Sequence, residues 1–317
     1  MKKTLLSIMV LVGLVSFAVH PASVKAAYPE KPITVIVPFG AGGSADLAAR
    51  LIGKRLEDEL GKPVVVENLV GGAGWVGWTR LTQAKPDGYT IAVFSLAYVP
   101  GYLNPANKRS MNLSNVTPLV NQTWDVTAWA VKPDSPYKDV KQLMAYVKEN
   151  PGKIKVASSI TYSQHHIILL TLAKHGYKMV PVHTNGVADS LAMTIGGHID
   201  VASVGVGDVR RQMKDNALRP LVVMDTERSP ILPDTPTFKE AMGIEITGFA
   251  ARGFAGPANM DPEAVKRLNE AFQKVMTNKD FIAEMTKMDI ELKFMSSVDY
   301  QAFLKKEEGR YKEVLGW

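Results

Sequence analysis

The chain has 317 residues, 46% hydrophobic and 21% charged, with 25 glycines, 19 prolines and no cysteine. That balance suits a folded globular protein of two lobes rather than a disordered or collagen-like chain, and the missing cysteine excludes disulfides, thiolate metal sites, a cysteine nucleophile and a lipid-carrying cysteine. The net charge of +6 includes Lys2, Lys3 and Lys25 in a first 26 residues without any acid, so the remainder carries +3; with no Lys/Arg run, that is no argument for nucleic acid.

Met1-Lys2-Lys3 opens positively, and Leu5 to Val19 is an uncharged apolar stretch of 15 residues. At 1.5 Å per residue it spans about 22 Å, short of the roughly 30 Å hydrocarbon core. Pro21 breaks it and Val24-Lys25-Ala26 follows, so residues 1–26 read as a signal peptide cleaved after Ala26. The expectation is a soluble, unlipidated protein of the periplasm.

Beyond it, strand and helix patterns alternate. Ile33 to Val37 is a β-branched run ended by Pro38, a buried strand. Ser44 to Leu60 sets Leu47, Leu51, Leu56 and Leu60 on one side of a helix that Gly61 stops. Val64-Val65-Val66 is a second strand, Gly71 to Gly74 a loop, and Thr90 to Phe94 a third strand after the turn at Pro86-Asp87-Gly88. After Val131 the pattern predicts helices at about 139–150, 163–175 and up to Gly196-Gly197. Strands are expected near Val156, at Met179 to Val182, Val201 to Val204 and Leu221 to Met224. From Asp261 onward helices surround one strand near Ile290 to Phe294. Repeated βα units imply mostly parallel sheets flanked by helices.

The most informative local feature is Pro38-Phe39-Gly40-Ala41-Gly42-Gly43-Ser44-Ala45-Asp46, between a strand and a helix. Glycines turn the backbone tightly and expose its N–H groups, and the helix start adds unpaired amides and a positive dipole end. Such a loop receives an anion, a phosphate or a carboxylate, with Ser44 capping the helix or donating to the anion. A tight turn before a capped helix would use the same residues. On the anion reading, a β-branched side chain at Gly43 should block the amides and abolish binding. Gly40-x-Gly42-x-x-Ala45 also matches a dinucleotide fingerprint, with Glu67 ending the next strand where a ribose-binding acid would sit. A dinucleotide-dependent oxidoreductase is therefore the enzyme alternative. Export argues against it, and no Gly-x-Ser-x-Gly, His-Glu-x-x-His or Walker lysine supplies a catalytic set.

His165 and His166 are adjacent, so they point to different faces of a helix and cannot chelate one ion together. No metal or cofactor is expected. Trp75, Trp78, Trp124 and Trp129 suit either core packing or a pocket wall.

Further segments carry a resemblance. Tyr28-Pro29-Glu30-Lys31-Pro32-Ile33 is followed by the glycine loop, then Val65-Val66-Glu67-Asn68 with Gly71 to Gly77, Lys85-Pro86-Asp87-Gly88-Tyr89-Thr90 and Asn104-Pro105. Gly196-Gly197-His198-Ile199-Asp200 and the stretch Arg228 to Thr237 complete the series. In order and spacing these resemble the periplasmic substrate-binding proteins of tripartite tricarboxylate transporters, the Bug family, over nearly the whole mature chain.

The resemblance implies an α/β, two-lobed periplasmic-binding-protein (type II) fold, each lobe a mostly parallel sheet flanked by helices, with a two-segment hinge. Lobe 1 would be 27–127 plus 253–317 and lobe 2 would be 128–252. It implies a monomer that binds a small carboxylate and delivers it to membrane permease subunits; a ligand-sensing subunit for a membrane kinase is the other non-enzyme alternative. The expected ligand-binding residues are Phe39, Gly40, Ala41, Gly42, Gly43, Ser44 and Asp46 in the first loop and Ser95, Ala97 and Tyr98 in the second. Lobe 2 would add Ser158, Ser159, Thr161, Ser163 and His166, with Asn185, Asp189 and Gly205 at the distal end. The chain departs from the family pattern at Ser159-Ile160-Thr161-Tyr162, which is bulkier, and in the longer connection from Thr184 to Ala188. Trp75 stands where the family has a small or polar residue. Arg252 stands near the hinge, where it is usually apolar, and would either pair with a ligand carboxylate or stay solvated.

Overall fold

A computed structural model describes residues 28–158, 161–184 and 186–317. The expected signal peptide, Ser159 and Asn185 lie outside the described residues. Strand β1 (Ile33–Val37) leads into α1 (Ser44–Leu60), β2 (Val64–Asn68), α2 (Trp75–Thr82), β3 (Thr90–Ser95) and α3 (Tyr98–Leu103). The 16-residue strand β4 (Val116–Val131) follows, then α4 (Val140–Glu149), β5 (Lys155–Ser158) and α5 (Gln164–Lys174). Next come β6 (Val180–His183), α6 (Val187–Ile195), β7 (Ala202–Gly205), α7 (Val206–Lys214), β8 (Arg219–Val223) and α8 (Phe238–Met242). Strand β9 (Phe249–Pro257) precedes α9 (Pro262–Met276), α10 (Lys279–Lys287), β10 (Leu292–Met295) and α11 (Ser297–Leu315).

The fold is mixed α/β. Strand β1 lies between β2 and β3, parallel to both, while β9 joins β3 to β4 with antiparallel pairing on each side. The β-branched run of β1 is buried on both faces: Val35 and Val37 enter a core with Ile52 and Phe272, and Ile36 enters another with Trp78 and Phe94. Two-sided burial is why this strand reads as continuously apolar rather than alternating. Helix α1 ends at Gly61, whose φ of 66° is left-handed and whose amide donates to the Glu57 carbonyl at 2.8 Å. Its buried face is Ala45, Ala48, Ala49, Ile52, Leu56 and Leu60, at helical spacing. Leu47, expected on that face, is 40% exposed, because one residue of offset turns it about 100° away from Ala48.

Strand β4 has two partners in succession. From Val116 to Val126 it pairs with β9, and from Thr127 to Val131 with β7 and β8, all antiparallel. A smaller parallel pair, β5 and β6, joins through a Val156–Val201 bridge, and a third core of Trp129, Leu143, Leu172 and Val222 fills this half. Neither β4 nor β9 is evident in the sequence. Asn121, Gln122 and Thr123 are buried polar residues inside β4, which erases its apolar period, and Pro118 sits at a register shift where a missing N–H is tolerated. Helix α2 also lies where the sequence shows only a loop running out of the glycines. No helix among the described residues is long and apolar enough to cross a membrane.

Candidate functional site

A cavity of about 770 Å³ opens between the two halves of the sheet. On one side stand Phe39 and Gly40 of the β1–α1 loop, with Trp75, Ser95, Ala97 and Tyr98. On the other are Thr161, Tyr162, Ser163 and His165 at the start of α5, with Gly186, Val187 and Gly205. Asp125 of β4 and Arg252 of β9, from the two crossing strands, line it between those walls. The aromatic side is built by packing: Tyr98 lies 4.2 Å from Trp78 and 5.9 Å from Trp75 between ring centroids, and the Arg109 guanidinium sits 4.6 Å over Trp75. Trp75 therefore serves both as core and as pocket wall, whereas Trp78 and Trp129 are wholly buried.

Beneath the glycine loop a buried carboxylate holds the backbone in shape. Asp46 Oδ2 accepts from the Gly42 amide at 2.8 Å and from Arg50 Nε at 3.1 Å, and Oδ1 accepts from Asn68 Nδ2 at 2.8 Å. Asn68 Nδ2 also donates to the Phe39 carbonyl at 3.1 Å, tying β2 to the loop. Burial acts to raise the Asp46 carboxyl, but the hydrogen bonds from Arg50, Gly42 and Asn68 prevail and hold it below the usual range. The Gly42 amide is thus already engaged. Its φ of 79° makes Gly42 the position that needs glycine. Gly43, by contrast, has φ −74° and would bring an added Cβ only to 3.4 Å from the Gly40 carbonyl oxygen. A β-branched residue at Gly43 would therefore meet no backbone strain, and the loss of binding expected there would come only from the amides it shields. Gly43 is the N-cap of α1 and Ser44 its first residue, so the cap is one position earlier than Ser44.

On the opposite wall the adjacent histidines separate as their helix geometry requires. Ser163 caps α5, its Oγ accepting from the His166 amide at 3.4 Å. His166 Nδ1 accepts from the Tyr162 amide at 3.0 Å and stacks on Tyr162, whose φ of 63° is left-handed. His165 turns inward, its Nδ1 3.0 Å from Ser203 Oγ, which also accepts from Trp129 Nε1 at 3.1 Å. Burial pushes His165 down to about 4. A depressed imidazole contributes stability in full above its unfolded value of ~6.5, and that contribution is lost as pH falls toward 4. The cost of His165→Asn should accordingly shrink by about 2 kcal/mol between pH 7 and pH 5. Urea unfolding at the two pH values measures it; a cost that does not vary with pH would mean that burial leaves the ring's pKa undepressed, and one that grows toward pH 5 that the buried ring carries a proton.

Of the residues expected at a binding site, Phe39, Gly40, Ser95, Ala97, Tyr98, Thr161, Ser163 and Gly205 line the cavity. Ala41, Gly42, Gly43, Asp46, Ser158, His166 and Asp189 do not. Ala41, Gly42 and Gly43 face outward on the loop, Asp46 braces it from below, and His166 secures Tyr162. Ser158 is wholly buried at the end of β5, and Asp189 lies on the first turn of α6. The sequence missed Tyr162, His165, Gly186 and Asp125. Adjacent histidines on a helix must face different ways, but His166 rather than His165 was expected at the ligand, and Asp125 lies in a strand whose buried polar residues hide it.

Three carboxyl groups here, Asp125, Asp208 and Glu291, are displaced upward, each chiefly by burial. Burial raises Asp125, opposed by Arg252, with Asp208 adding to the rise. Glu291, beside a smaller cavity of about 280 Å³ behind Asp125 and Arg252, is pushed up to about 7 by burial, although Ser229 donates to it at 3.3 Å. No group of three or more His, Cys, Asp or Glu among the described residues is arranged to hold a metal ion. The dinucleotide alternative meets an antiparallel β9 beside β3, where a doubly wound sheet continues in parallel, and Glu67 is exposed.

A family model described as the tripartite tricarboxylate transporter family receptor matches residues 48–316. The UPF0065 protein in the gbd 5′ region of Cupriavidus necator is 30% identical over 306 residues, covering 94% of this chain and 91% of the relative. A TctC solute-binding protein from Polaromonas, solved without ligand, superposes with a TM-score of 0.80 at 24% identity, over 92% of this chain and 99% of that one. MatC from Rhodopseudomonas palustris with bound malate gives a TM-score of 0.71 at 25% identity, over 90% and 99%.

Proposed function

Because the chain belongs to the tripartite tricarboxylate transporter receptor family, we propose that it captures a small carboxylate in the periplasm and hands it to a membrane permease. The observation that carries this reading is the cavity between the β1–α1 loop and the start of α5, with β4 and β9 crossing between its walls. Backbone dipoles of the loop at Phe39 and Gly40 replace water around a carboxylate, and closure of the walls completes the shell. Residues 27–127 with 253–317 form one lobe in this reading and 128–252 the other. The exchange of β9 for β7 and β8 along β4 at Thr127 supports a boundary there. Capture and release are equilibrium steps with no bond made or broken. The bound malate of MatC supports a carboxylate as the ligand class.

A thermal-shift screen of the mature protein against mono-, di- and tricarboxylates tests the reading. A ligand at 100 times its dissociation constant adds about 2.7 kcal/mol, a rise of roughly 5 °C. A rise confined to one group of carboxylates is the expected result. No rise with any carboxylate, and one with a nicotinamide dinucleotide instead, would overturn it in favour of the oxidoreductase.

A further inference from the structure

Asp125 and Arg252 are diagonal neighbours on the same face of β4 and β9, since Asp125 pairs with Ala250 and Arg252 with Thr123. Their charged ends stand 4.0 Å apart, Arg252 Nη1 to Asp125 Oδ2, and both reach the cavity. That is beyond hydrogen-bond distance. The neighbouring charges are already matched in contact: Arg211 with Asp208, and Arg210 with Asp289. The Asp125–Arg252 pair is the one left apart in this region among the described residues. Asp125 is 41% and Arg252 21% exposed at the side chain, and the solvent they meet is that of the cleft.

We propose that this pair selects the ligand: the site takes an amino acid, with its ammonium on Asp125, its carboxylate between Arg252 and the Phe39–Gly40 backbone, and its side chain against Phe39, Trp75 and Tyr98. The proposal rests on the capture reading above and names its substrate class. A plain carboxylate would meet Arg252 but leave Asp125 with a countercharge too distant for a hydrogen bond. A second carboxylate at the same end would stand against Asp125, which Asp208 already burdens. An α-ammonium lies one carbon from its carboxylate, so one end of an amino acid touches both charges. Burial raises Asp125 even with Arg252 nearby, as expected of a carboxylate short of donors. Sites built to bond a polar group reject analogues that lack it far more strongly than apolar pockets reject a missing methylene.

The experiment compares amino acids with their deamino counterparts on three skeletons: leucine with 4-methylpentanoate, phenylalanine with 3-phenylpropanoate, and aspartate with succinate. Binding to the wild-type mature protein is measured by calorimetry. The expected result is that the amino member binds at least tenfold more tightly on the skeleton bound best. In Asp125→Asn, confirmed folded by circular dichroism, the amino-to-deamino ratio should collapse toward one, whereas Arg252→Gln should weaken both members. Tight binding of a deamino acid without preference for its amino partner would overturn the proposal and leave carboxylate capture standing. Binding of neither class, nor of any other carboxylate in the thermal screen, would overturn the capture reading and this proposal with it. The wild-type comparison decides the matter even if a variant fails to fold.

Discussion

Asp46→Ala should destabilise the protein by about 3 kcal/mol and cut ligand affinity at least tenfold, although Asp46 does not line the cavity. The buried carboxylate is the shared acceptor for the Gly42 amide, Arg50 and Asn68, and its loss removes the group that ties the loop to α1 and β2. The loop backbone at Gly42 would then relax, and the amide array that presents Phe39 and Gly40 to the cleft would lose its geometry. Melting should fall by roughly 6 °C, and Asp46→Asn, which keeps an acceptor for Gly42, should recover part of it. A melting temperature within a degree of wild type would remove Asp46 from this role. The pH dependence carries a second sign. The folded carboxyl titrates below its unfolded value of ~3.9, so its contribution is complete above that pH and is lost as pH falls through the lower folded value.

Gly253→Ala should have the largest effect on stability, about 4 kcal/mol, seen as a fall of roughly 10 °C in melting temperature. Gly253 lies on β9 between Asn121 of β4 and Phe94 of β3. A Cβ there would stand 2.1 Å from the Val120 carbonyl oxygen and 2.6 Å from the Tyr300 ring, and neither the central strand nor the buried ring has space to withdraw. Gly309→Ala is the matching control. It sits exposed within α11 with nothing within 4 Å of an added Cβ, and alanine in a helix interior should stabilise by about 1 kcal/mol. Equal effects at the two glycines would mean that crowding at Gly253 is not what limits the substitution.

The binding elements divide by what made them legible. The β1–α1 loop could be read because its chemistry is local: consecutive glycines between a β-branched run and an amphipathic helix point to an anion receptor in any fold. Within the loop and the start of α5 the local pattern misled where a neighbour in space took over a group. Asn68 and Asp46 engaged the loop from below, and the Tyr162 amide occupied His166. Lobe closure and the wall from Thr161 to Gly205 depended on the family resemblance, because no local pattern links residues so far apart in sequence.

By itself the sequence determined the alternating elements, the glycine loop, the different faces of His165 and His166, and the family. The elements, the loop and the two histidine faces follow from periodicities and backbone preferences that act within about a turn or a strand, whereas the family rests on the resemblance of motifs spread along the chain. The tertiary structure alone decided the path of β4 and β9, whose buried polar residues hide their period, and the use of Trp75 as both core and wall. It alone set Asp125 4.0 Å from Arg252, across a strand pair joining residues 127 positions apart. Such a contact exists only once two distant segments have paired, and the register that aligns them comes from the packing of the whole sheet rather than from either segment.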